Sequence, residues 1–142
     1  MIYNSTRLIA QAMDNHNFKY SVEEQEDRSL IVAGYRIQSG NILQVKFISQ
    51  SKDNDVAIRL FCLVNSVSED KVEKTLKILN ACNCKYRYLR FVLDNDRDIN
   101  VEYDIPEYTS DDCIGEIACE IFARIMSIVD DCYPMIMREM WT

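Results

Sequence analysis

Histidine is nearly missing from this sequence: His16 is the sole one in 142 residues, which also hold three glycines, two prolines and one tryptophan. Nucleophilic catalysis needs a base beside its nucleophile. One histidine at the exit of a helix, where such a ring caps carbonyls or meets water, does not supply it. Three scattered glycines cannot build a phosphate-cradling loop. No apolar run approaches the ~20 residues that span a bilayer. The first residues, Met1 to Arg7, lack a basic segment followed by an apolar block. No secretory signal is therefore expected, and the expected location is the cytoplasm. These shortages predict no enzyme activity, no cofactor, no metal site and no membrane contact.

What is present points to an ordered domain. Apolar residues make up 48% of the chain, enough to exclude a disordered composition. The length fits one domain over 1–142 at ~100–200 residues per domain. The formal net charge is −7, which repels phosphate backbones at long range and argues against a nucleic-acid partner.

Six cysteines stand out: Cys62, Cys82, Cys84, Cys113, Cys119 and Cys132. Cys62 falls in a strand pattern, and Cys82, Cys119 and Cys132 fall on apolar helix faces. Free cysteine behaves as a small hydrophobe, so reduced core thiols are expected. Cys82-x-Cys84 has the wrong spacing for common zinc sites. Cys84, beside Lys85 and Arg87, is the candidate for a reactive thiolate, because such thiolates need electropositive, partly exposed surroundings. A thiol-based enzyme or redox sensor is thus the alternative function.

Periodicity sets the architecture. Residues 5–15 read as a helix capped by Asn4 or Ser5, with Ile9, Ala12 and Met13 on one face. Phe18 to Tyr20 reads as a short strand, followed by an acidic loop from Glu23 to Arg28. Three strands follow: Leu30 to Ile37, the Leu43/Val45/Phe47 alternation, and the Val56/Ile58/Leu60/Cys62 alternation. Short turns make them an antiparallel meander. Ser66 or Ser68 opens a second helix with a stripe of Val72, Leu76, Leu79 and Cys82. A hairpin then pairs Leu89/Phe91/Leu93 with Ile99/Val101/Tyr103/Ile105, and Pro106 ends it. Thr109-Ser110-Asp111-Asp112 starts a last helix, which Pro134 should kink or break. The predicted class is α+β, with an antiparallel sheet of five or six strands flanked by helices, in the order α-(β)-βββ-α-ββ-α.

Two charged runs have plain readings. Asp94-x-Asp96-x-Asp98 resembles half a calcium loop, but Ile99 and Ile105 stand where the glycine and bidentate glutamate belong. A polar hairpin turn fits better. Lys85, Arg87 and Arg90 alternate with Tyr86, Tyr88 and Phe91, a pattern that could hold single-stranded nucleic acid. Pairing with Glu102 and Asp104 on the neighbouring strand fits it better.

The last helix is the most informative element. Ile114, Ile117, Ala118, Ile121, Ile125, Ile128 and Cys132 form one apolar stripe; Cys119, Phe122, Met126, Val129 and Tyr133 form a second. A surface helix normally offers one stripe of a little over ~100°. The second needs other cover: the first helix, a second subunit or a bound peptide. The tail adds Met135, Met137, Met140 and Trp141, and methionine-rich surfaces suit tolerant binding. Phe122, Met126, Val129, Met137, Met140 and Trp141 are therefore the candidate protein-binding residues.

At Leu79-Asn80-Ala81-Cys82-Asn83, at the hairpin from Arg90-Phe91-Val92-Leu93 to Val101-Glu102-Tyr103-Asp104-Ile105-Pro106, and at Tyr133-Pro134, the chain resembles the YbjN family, along essentially its whole length. The resemblance implies a fold like that of type III secretion chaperones, a homodimer among the assemblies to expect, and a sensory or signal-transduction regulator without cofactor or reaction. With the wide apolar face, it suggests a non-catalytic protein-binding or chaperone-like regulatory module whose partner is a protein or peptide.

Overall fold

The computed structural model describes residues 1–141. Helix α1 (Asn4–Asn15) leads into strands β1 (Tyr20–Glu24), β2 (Ser29–Arg36), β3 (Ile42–Ser49) and β4 (Val56–Val64). One 3-10 turn (Glu69–Lys71) opens helix α2 (Val72–Lys85), followed by β5 (Arg90–Leu93), β6 (Ile99–Ile105) and helix α3 (Asp111–Met140). The six strands form one antiparallel sheet in the order β1-β2-β3-β4-β6-β5. This is the α+β arrangement the periodicity predicts, with the bracketed strand present.

Alternation along the strands sorts the two sheet faces. Ile31 pairs with Phe47, Phe47 with Ile58, Leu60 with Val101, and Phe91 with Val101. All of these are buried in one core with Ile9 and Met13 of α1, Leu79 of α2, and Ile114, Ile121 and Ile125 of α3. The opposite face carries charge: Arg59 meets Asp104 at 2.8 Å, and Arg90 meets Glu102 at 2.7 Å. Part of the basic run is thus neutralised by the neighbouring strand, as expected. Lys85 instead reaches Asp131 of α3 at 3.0 Å.

Two details fix α1. Gly115 lets it approach α3 closely, because a Cβ there would lie 2.8 Å from both the Ala12 Cβ and the Leu8 carbonyl oxygen. Its first turn is held by hydroxyls. Ser5 donates to Ser49 at 2.7 Å, Thr6 and Ser29 share a bond of 2.8 Å, and the Tyr3 N–H donates to Ser29 at 3.0 Å. Asn4 and Ser5 therefore do not cap the helix: Tyr3 precedes it, with no side-chain cap. The hydroxyls face the sheet, where burial requires partners.

Other expectations shift for physical reasons. β1 runs to Glu24, so part of the expected acidic loop is strand; as an edge strand it tolerates carboxylates. Asn83 covers the other edge, its amide bonding both the N–H and the carbonyl of Phe91, at 2.7 and 3.0 Å. The β4 register breaks between Leu60 and Val64. Cys62 there has φ +58 and is exposed, off the Val56/Ile58/Leu60 face. On α2, Thr75, Leu79 and Cys82 are buried, whereas Leu76 is 52% exposed. α3 starts as expected, with the Ser110 hydroxyl accepting from the Asp112 N–H at 3.2 Å. It then continues through Pro134 to Met140 without breaking, because Cys132 and Ile136 anchor both sides of the proline in the core.

Candidate interaction site

The six candidate residues separate into two groups. Phe122 is 2% exposed and Val129 is fully buried. The Phe122 ring meets Phe18, Phe47 and Tyr35 edge-on, at centroid distances of 5.1, 6.1 and 6.1 Å. The cover the second stripe needs comes from this chain itself: from Phe18 after α1 and from Tyr35 of β2 and Phe47 of β3, with α1 packed along α3. Phe122 and Val129 are core residues, which corrects their assignment to a docking face. Met126 is half-buried against the same core.

Met137, Met140 and Trp141 are brought together. They form one wall of a surface groove of about 410 Å³, with Val64, Asn65, Ser66, Ser68 and Lys71 opposite. Trp141 is 81% exposed. At 1.5 Å per residue, the 30-residue α3 is about 45 Å long. Its last turns, beyond Pro134, bring the methionines to the β4–α2 connection. Thr75 holds that end, its hydroxyl lying 3.3 Å from the Met140 sulfur and donating to the Lys71 carbonyl at 2.8 Å.

The opposite wall is held by the acidic hairpin turn. Asp98 accepts from the Ser66 N–H at 2.8 Å and from the Cys62 thiol at 3.6 Å. Val67 and Arg97 exchange two bonds: the Val67 N–H donates to the Arg97 carbonyl at 2.8 Å, and the Arg97 side chain donates to the Val67 carbonyl at 2.7 Å. The Asn100 side chain accepts from the Cys62 N–H at 2.8 Å and donates to Asp94 at 2.9 Å. Asp94 also accepts from the N–H groups of Asp96 and Asp98, at 2.9 and 3.0 Å. These backbone bonds, chiefly the one from Asp98, hold the Asp94 carboxyl below the usual carboxylate range. Oxygens of Asp94, Asp96 and Asp98 lie within 4.8 Å of one another, the sole such group of three among the described residues. Asp94 and Asp98 already serve as acceptors that shape the turn and fasten the groove wall.

Elsewhere the basic and aromatic residues engage one another. Arg87 and Arg124 lie over the Tyr88 ring at 5.2 and 4.6 Å, and Lys85 lies over Tyr86 at 5.3 Å. Cys84 is exposed, but the Lys85 charge beside it is paired with Asp131. Burial and the Asp98 carboxylate push the Cys62 thiol up; burial, with Glu116, pushes Cys119 up to about 11. His16 is hydrogen-bonded to Glu116 at 2.8 Å.

The groove's far wall was not legible from sequence. Residues 64–71 read only as a strand end, a polar link and a helix start. Their meeting with the tail depends on how far α3 continues. No helix among the described residues is long and apolar enough to cross a membrane.

No curated protein matches the sequence. A family model does, over residues 5–115: YbjN, described as "Putative bacterial sensory transduction regulator". The match covers α1, the whole sheet, α2 and the first turn of α3, and leaves the groove's methionines and Trp141 beyond its end. Covering well over half of the 142 residues, it shows that this chain belongs to the YbjN family.

Proposed function

We propose that the protein is a non-catalytic regulatory module that binds another polypeptide through the groove at the end of α3. One observation carries this reading: a tryptophan left 81% exposed beside two methionines that line the same groove. Tryptophan is enriched among residues that dominate binding energy, and methionine adapts to varied partner shapes. A partner presenting apolar side chains would cover Trp141 and fill the space against Val64 and Met137. The YbjN family's description as a sensory regulator supports a role in regulation. Six cysteines, none of them in a disulfide, fit work in a reducing cytoplasm.

The test is quantitative co-purification from host cells, comparing the wild-type chain with a Met137→Glu/Trp141→Ala variant. Circular dichroism should show the variant folded. The reading expects a discrete polypeptide, either another protein or a second copy of the chain, held by the wild type and lost from the variant. Equal recovery with both chains would overturn it.

A further inference from the structure

Cys82 and Cys132 lie on different helices, α2 and α3, and both are fully buried. They come together where the two helices pack, and each thiol influences the ionisation of the other. The Lys85–Asp131 ion pair lies just outside them, and the Tyr86 hydroxyl donates to the same Asp131 carboxylate. The contact with Cys132 lowers the Cys82 thiol, while the same contact raises Cys132.

Each position lies beside an interruption of helical hydrogen bonding. Cys82 is in the last turn of α2, which ends at Lys85, and helix ends fray. Cys132 is two residues before Pro134, which has no N–H to offer the Asp130 carbonyl. Cys119, the other buried thiol, is mid-helix and is pushed up by burial and Glu116.

We propose that Cys82 and Cys132 form a redox modification site, at which a low-molecular-weight disulfide such as oxidised glutathione converts the two thiols into a disulfide joining α2 to α3. When the last turn of α2 opens, the Cys82 thiolate attacks one glutathione sulfur. The glutathione S–S bond breaks and one glutathione thiolate leaves. The Cys132 thiolate then attacks the Cys82 sulfur and expels the second glutathione. Two protein thiols are oxidised, one glutathione disulfide is reduced, and the two thiol protons end on two glutathione molecules. The link joins the same two helices that Thr75 and Met140 join, so it would stiffen the support of the groove. The cross-link itself stands independently of what the groove binds.

The test uses the full chain carrying Cys62→Ser, Cys84→Ser and Cys113→Ser, which leaves the three buried thiols. It is equilibrated in glutathione buffers of rising oxidised fraction, acid-quenched, denatured, alkylated and mapped by mass spectrometry. The expected result is loss of two alkylatable thiols, a Cys82–Cys132 linked peptide, and Cys119 still alkylated. The cross-link should also raise Tm by about 5 °C or more, and adding Cys132→Ser should abolish that rise. The same linked peptide should appear in the oxidised wild-type chain. Three alkylated thiols at every ratio, a link through Cys119, or a glutathione adduct that persists on Cys82 would overturn the proposal.

Discussion

The Thr75 hydroxyl lies 3.3 Å from the Met140 sulfur, so a buried polar residue of α2 meets the last turn of α3 directly. The same hydroxyl donates to the Lys71 carbonyl one turn back, which satisfies a threonine on the buried face, where the expected stripe had Leu76 instead. Thr75→Val keeps the shape and removes the hydroxyl. It should cost about 1 kcal/mol and loosen the tail. Fluorescence anisotropy of Trp141 checks this: a lower value in the folded variant supports the link, and an unchanged value contradicts it.

The approach of α1 to α3 depends on the missing side chain at Gly115. A Cβ would meet the Ala12 methyl and the Leu8 carbonyl at 2.8 Å, and neither can rotate away. Gly115→Ala should destabilise the chain by about 1–3 kcal/mol, despite the better helix propensity of alanine. Urea unfolding measures it, and a variant as stable as the wild type would show that the helices move apart freely.

Core and groove should respond oppositely to truncation. Phe122→Ala removes a ring enclosed by three others and should cost about 3–5 kcal/mol. Met137→Ala and Trp141→Ala, at the groove, should leave Tm nearly unchanged while weakening partner capture. Thermal melts of the three variants separate the roles. A large loss of Tm in Trp141→Ala would place it in the folded core's support instead.

Acid should act through the hairpin turn. The Asp94 carboxyl is held low by backbone N–H bonds, so as pH falls the unfolded chain takes up that proton before the folded one. The stabilisation from Asp94 is present above its unfolded value of about 3.9 and is lost as pH falls through the lower folded value. Asp94→Asn should therefore be less stable near neutrality, and its deficit should shrink below about pH 4. Denaturant midpoints across that range test the sign. A deficit that is constant or grows in acid would contradict it.

Much of the architecture was written locally. The strands alternate cleanly, Pro106 ends β6, and the run from Thr109 to Asp112 announces α3. What was hidden depends on tertiary contact. β1 is polar because it is an edge. The buried face of α2 turns toward Thr75 because Met140 is there to meet it. Pro134 sits inside α3 because Cys132 and Ile136 anchor the helix on both sides. The width of the α3 apolar face showed how much cover was needed, but not that Phe18 and the sheet residues Tyr35 and Phe47 would provide it for Phe122. Of the anticipated surface, Met137, Met140 and Trp141 line one open groove. The meeting of Cys82 with Cys132 had no signal in their spacing.

The most direct measurement is photo-crosslinking from position 141 in living cells, with a photoreactive amino acid replacing Trp141 and, as a control, the equally exposed Tyr108 (81% and 79% exposed). A docking groove predicts a discrete cross-linked polypeptide from position 141 that disappears with Met137→Glu and is absent from position 108. Indistinguishable cross-linking from the two positions would contradict it.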